Sequence, residues 1–193
     1  YISTQQLNAD RVESQINLGN LYVQLGDAGQ AERHYRKGIG LEPRFAPAYI
    51  NLSDLYRTQG MNDQSVKVLG EGIGMNPEAA SLHHSLGLAL VRQGNSPMAL
   101  EALQRASELA PEAARYVYVY GVALNSTGKA HAGISALVNG HKLHPGDRDI
   151  LFALTTMNRD AGHAKAALNW AQKLLDLNPT DPGVQQLIQS LER

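Results

Sequence analysis

The sequence predicts an all-α fold: a right-handed α-solenoid of five helix-turn-helix hairpins closed by a C-terminal capping helix. Three observations carry this. Gly26, Gly60, Gly94, Gly128 and Gly162 recur every 34 residues with no insertion. Pro43, Pro77, Pro111, Pro145 and Pro179 keep the same period. Between these markers apolar residues fall at the i, i+3, i+4 spacing that makes one stripe along a helix. Two residue types locked to one such period mark stacked helical hairpins rather than chance composition.

In chain order, residues 1–11 are expected to be the tail of an upstream helix. Tyr1 and Leu7 match Tyr35 and Leu41 in register, and Asp10 is placed to N-cap the next helix. The chain opens on tyrosine, so it reads as a piece of a longer protein. Repeat 1 spans 12–45, with helix A over about Val12–Leu25 and helix B over about Gly29–Leu41. Its expected inner face is Leu18, Leu21, Tyr22, Ala31, Tyr35, Ile39 and Leu41. Burying one large apolar side chain contributes roughly 1.5–3 kcal/mol. Several are needed to offset the ordering of a whole repeat, so a lone hairpin fails where a stack succeeds. Repeats 2 to 5 occupy 46–79, 80–113, 114–147 and 148–181. In each, the phased glycine stops helix A, and the proline after helix B ends that helix. Residues 182–193 form the cap: Val184, Leu187, Ile188 and Leu191 cover the last hairpin and the other face is polar.

Small residues mark where helices come closest. Gly19, Ser53, Gly87, Gly121 and Thr155 fill one slot on helix A; Ala31, Ser65, Ala99, Gly133 and Ala167 fill its counterpart on helix B. Glycine inside a helix costs about 1 kcal/mol relative to alanine, so its recurrence at fixed phase needs a packing reason. Gly38, Gly72 and Gly140 follow the same logic, whereas Gly40, Gly70 and Gly74 do not.

Three segments invite other readings. Tyr116–Tyr120 alternates like a strand, but the repeat register places it in the fourth helix A. Gly70-Glu71-Gly72-Ile73-Gly74 has neither the spacing nor the preceding strand of a dinucleotide loop. His141 and His144, followed by Asp147 and Asp149, offer imidazole and carboxylate at a helix end, where such groups are usually solvated or capping.

Composition narrows the function. Of 193 residues, 43% are hydrophobic, enough for a core, and the net charge of -1 supplies no field that draws nucleic acid or anionic lipid. No apolar run has membrane-spanning length, so no membrane insertion is expected. The absence of cysteine removes disulfides and thiolate chemistry. No nucleophile elbow, phosphate loop or zinc-protease motif is present, so neither enzyme activity nor a cofactor is expected.

With glycine, small-residue, proline and leucine positions all in phase, residues 12–181 resemble the tetratricopeptide repeat family. The resemblance implies that A helices line a concave groove taking a peptide, a helix or a neighbouring domain. Carried across by residue, one groove row is Ile16, Ile50, His84, Tyr118 and Phe152. A second is Asn20, Asp54, Leu88, Val122 and Thr156; a third is Val23, Arg57, Val91, Asn125 and Arg159. Asn17, Asn51, Gln24, Arg92, Arg115, Asp149 and Asp160 flank them. Members that clamp a chaperone tail use lysine, arginine and asparagine. Here Asn20 and Asn51 match, but Ile16, Ser81 and Ser85 replace the basic residues. The asparagine ladder of the O-linked N-acetylglucosamine transferases stops after Asn17 and Asn51. Tyr118 and Phe152, flanked by Arg115 and Arg159, are the expected partner anchors, although the apolar row equally suits packing between A helices.

A narrower resemblance rests on Leu7–Ser14, Asn17–Tyr22, Ala48–Arg57 and Leu82–Leu88. These segments are similar to the repeat region of large bacterial proteins that also carry a multihaem c-type cytochrome region. That resemblance implies a periplasmic location; otherwise the cytoplasm is expected. Two functions follow. One is an interaction module binding a protein or peptide in its groove. The other is a docking or dimerisation segment of a larger protein, of multihaem-cytochrome or glycosyltransferase type, which leaves room for a homo-oligomer.

Overall fold

The computed structural model describes residues 11–192, which form eleven α-helices and no strand. They fall into two compact units, one ending at Leu109 and the other starting at Ala110. The first holds three hairpins: α1 (Val12–Gln24) with α2 (Ala28–Leu41), α3 (Ala46–Thr58) with α4 (Asn62–Met75), and α5 (Ala80–Arg92) with α6 (Ser96–Leu109). The second holds α7 (Ala114–Ser126) with α8 (Ala130–Leu143), α9 (Arg148–Asp160) with α10 (Ala164–Leu177), and the closing α11 (Pro182–Leu191). The expected all-α helical repeat is therefore the fold found. Tyr116–Tyr120 lies within α7, where the repeat's packing overrides its strand-like alternation. The expected helix tail and its Asp10 cap lie at residues 1–10, outside the described residues. Arg11 stands at the N-cap position of α1 and makes no capping bond.

Each A helix stops in the same way. Gly26, Gly60, Gly94, Gly128 and Gly162 all take φ between 74° and 80°, a left-handed conformation that a Cβ disfavours. At the first turn, Gly26 N–H bonds Val23 O at 3.1 Å and Asp27 N–H bonds Tyr22 O at 2.9 Å, so two terminal carbonyls are satisfied. Asp27, Asp147 and Asp181 then N-cap α2, α9 and α11. At the C-terminal end the Arg148 guanidinium reaches Asp181 Oδ2 at 2.6 Å while Asp181 Oδ1 accepts from Gly183 and Val184 N–H. The guanidinium first, then those N–H groups, hold this carboxyl below the usual carboxylate range.

Within the units the small-residue slots are close approaches. A Cβ on Gly87 would sit 2.5 Å from Leu103 Cγ, and one on Gly121 would sit 2.6 Å from Leu137 Cγ. In the second hairpin the slot holds Ser53 and Ser65, whose buried hydroxyls bond at 2.7 Å. A Cβ on Gly72 or Gly140 would meet Tyr49 or Val117, whereas Gly40, Gly70 and Gly74 have nothing within 4 Å. No helix among the described residues is long and apolar enough to cross a membrane.

The expected inner face of repeat 1 needs correction. Leu18, Leu21 and Leu41 are exposed, and the buried face of α1 is Val12, Gln15, Ile16 and Gly19. The cause is positional. One repeat on, Leu52 and Leu55 stand at the places of Leu18 and Leu21, and they are buried where α3 packs on α2 and α1. Among the described residues no hairpin lies on the corresponding side of α1.

Candidate partner-binding groove

The groove rows separate by burial. On the first row Ile16 and His84 are buried, Ile50 and Tyr118 are half-buried against the cores of their units, and Phe152 alone is 49% exposed. His84, expected to face a partner, is corrected to an interior residue at 8% exposure, because this row turns toward the neighbouring helix. The second and third rows face outward. Asn20, Asp54 and Arg57 are exposed, as are the flanking Asn17 and Arg92, while Asn51 and Leu88 are half-buried.

In the first unit the polar members converge. Gly19 has no side chain because the Tyr35 ring occupies that space; a Cβ there would lie 2.3 Å from Tyr35 Cε1. The ring is buried, and its hydroxyl emerges on the α1 surface to donate to Asn20 Oδ1 at 2.7 Å. Asn51 Nδ2 donates to the same oxygen at 3.3 Å. With its carbonyl oxygen so occupied, Asn20 turns both amide N–H bonds away from Tyr35. Arg57 Nε donates to Asp54 Oδ1 at 3.1 Å. Asn20, Asn51, Asp54 and Arg57 line one open cavity of about 290 Å³, floored by Tyr35 and Leu55. Arg92 ends α5, the next A helix. Its guanidinium pKa is lowered, by burial first and then by the charge of Arg57. The surface thus offers amide and guanidinium donors in excess of its one carboxylate, and suits backbone carbonyls and carboxylates on a partner.

The second unit presents a different face. Arg115 and Val122 are exposed, Asn125 is half-buried, and Arg159 pairs with its neighbour Asp160 at 2.8 Å. Tyr118 packs against the cluster of Leu137, Ile150 and Met157, while Phe152 lines a cavity of about 410 Å³ with Val184 and Leu187 of α11. The structure does not make one anchor of the two aromatics.

Sequence reasoning missed Tyr35, which it placed in the core alone. A signal was there: the same position holds Leu69, Leu103 and Leu137 in the following repeats. A phenol where its neighbours keep an aliphatic has a hydroxyl to satisfy.

Stacked hairpins with a donor-rich A-helix face define a helical-repeat interaction module. The chain belongs to the tetratricopeptide repeat family: two family models of that description match residues 12–45 with 46–78, and 84–148, together more than half its length. Members of this family are protein-interaction modules, generally non-enzymatic. Among solved structures it is similar to MamA (21% identity, TM-score 0.71, 87% of this chain and 92% of that one). It is also similar to YrrB, described as a TPR protein with an unusual peptide-binding site (21%, 0.68, 99% and 96%). PilF of Pseudomonas aeruginosa is a third (18%, 0.74, 95% and 84%). At these identities the likeness is one of fold. No curated protein matches the chain in sequence.

Proposed function

We propose that the chain binds an extended peptide segment of a partner protein on the A-helix face of its first unit, and that it does no catalysis. The observation that carries this is the fixed pair Asn20–Asn51. The Tyr35 hydroxyl orients the Asn20 amide, leaving its two N–H donors, with one on Asn51, for an incoming backbone. Peptide binding in YrrB supports the reading for the same fold. The near-neutral charge and the mixed signs in the groove favour protein over nucleic acid as partner. Panning a random-peptide display library on the chain tests it. Recovered peptides should bind Asn20→Ala/Asn51→Ala at least about tenfold more weakly, the equivalent of roughly 1.4 kcal/mol, while the fold survives with a stability loss of only about 0.5–1.5 kcal/mol from the missing Tyr35–Asn20 bond. Equal binding to that variant sinks the groove reading.

The exposed Leu18–Leu21 face of α1 favours a second reading, in which a further hairpin of a longer parent protein stacks there. The chain has no cysteine, so Leu21→Cys is a clean probe. Its thiol should label quickly in this chain and slowly in the parent; equal rates contradict the reading.

A further inference from the structure

Charge in the first unit's groove is unbalanced. Arg57 and Arg92 stand in the last turns of α3 and α5, consecutive A helices that pack on each other. Asp54 is the carboxylate between them, and it is engaged by Arg57 at 3.1 Å. Arg92 has no hydrogen-bond or ion-pair partner among the described residues, and Gln93 beside it is spent on Asp63. The proximity of Arg57 lowers its pKa further, as expected for two guanidiniums sharing one counter-charge. These positions differ from the basic positions of the family's chaperone-tail clamp, which hold Ile16, Ser81 and Ser85 here.

We propose that the groove selects partner segments carrying an internal aspartate or glutamate, whose side-chain carboxylate is taken by Arg92 with Arg57 while Asn20 and Asn51 hold the adjoining backbone. The inference rests on the peptide-binding reading and deepens it. A guanidinium presents a planar fork of donors that matches a carboxylate two-to-two, and the ligand carboxylate restores the one-to-one charge balance that Asp54 alone leaves unmet. An internal side chain is favoured over a chain terminus because the basic positions of the family's terminal-carboxylate clamp hold Ile16, Ser81 and Ser85 here.

The same panned peptides carry the test, synthesised with blocked ends so that no terminal carboxylate contributes. Aligned sequences should share an acidic residue, and replacing it by its amide should weaken binding about tenfold. Arg92→Gln should weaken the acidic peptide equally and leave the amide peptide unaffected, so the two changes together should cost no more than either alone. Asp54→Asn should tighten the acidic peptide. If groove-dependent peptides share no acid, or bind Arg92→Gln as well as wild type, the carboxylate inference is overturned while the groove reading stands. If binding needs a free C-terminus, the assignment to an internal side chain is overturned. Peptides insensitive to Asn20→Ala/Asn51→Ala overturn both.

Discussion

The Tyr35 hydroxyl donates to Asn20 Oδ1 at 2.7 Å, so a ring in the core fixes an amide in the groove. Burial, and secondarily Asp54, raise the pKa of this phenol, so it remains a donor through neutral pH. Tyr35→Phe keeps the ring under Gly19 and removes only this bond. Unfolding stability should fall by about 0.5–1.5 kcal/mol, the net value of one such bond. Peptide affinity should fall as well, because the Asn20 amide is then free to rotate. Urea midpoints and fluorescence anisotropy with a panned peptide check both; unchanged affinity would detach Tyr35 from the groove.

In the second unit the close approach at Gly133 is to backbone as well as side chain. A Cβ there would meet Gly121 O at 2.6 Å and Met157 Cε at 2.9 Å, and backbone cannot yield as a side chain can. Gly133→Ala should therefore destabilise by roughly 1–3 kcal/mol. Gly70 lies inside α4 with nothing within 4 Å, so Gly70→Ala should stabilise by roughly 0.5–1 kcal/mol. Denaturant unfolding of the pair checks the opposite signs.

Tyr118 and Phe152 should behave differently despite sharing one row. Emptying a buried aromatic site costs roughly 3–5 kcal/mol, and half-buried Tyr118→Ala should approach the lower end. Phe152→Ala, with its ring half in water, should shift the unfolding midpoint little. Equal losses in urea unfolding would show that the row packs as one.

Acidification should affect the two units at different pH. Burial, then Lys173, hold His141 below the ordinary histidine value of 6.5, so the unfolded chain binds that proton more readily. The second unit should keep this contribution above pH 6.5 and lose it as pH falls through the lower folded value. In the first unit the Tyr56 hydroxyl, then Arg36, hold Glu32 below its ordinary 4.5, and that contribution should be lost only as pH falls from there. Trp170, the single tryptophan, lies 5.0 Å from the His141 ring and reports the second unit by fluorescence. His141→Phe keeps a ring on Trp170 and should flatten the pH dependence of its urea midpoint below pH 6.5. An unchanged slope would assign the titration elsewhere.

Periodicity made the helices, their glycine stops and the slot pairs legible, because each depends on contacts repeated every 34 residues. The buried face of α1 was not legible. Leu18 and Leu21 carry the same pattern as Leu52 and Leu55, and what distinguishes them is whether a hairpin lies alongside. Placement within the groove was partly legible: outward rows such as Asn20, Asp54 and Arg57 follow from helical phase, but His84 turns inward. The link from Tyr35 to Asn20 joins two helices through side-chain reach, which phase does not encode.

In the proposed function the partner is held by the Asn20–Asn51 donors of the first unit. Side-chain amide resonances of Asn20 and Asn51, assigned by substitution and followed by nuclear magnetic resonance during titration with a panned peptide, test it most directly. These two amides should shift in a saturable manner together with the Arg57 and Arg92 Nε–H signals. Saturable binding with shifts confined to α2, α4 and α6, and none at either asparagine, would contradict it.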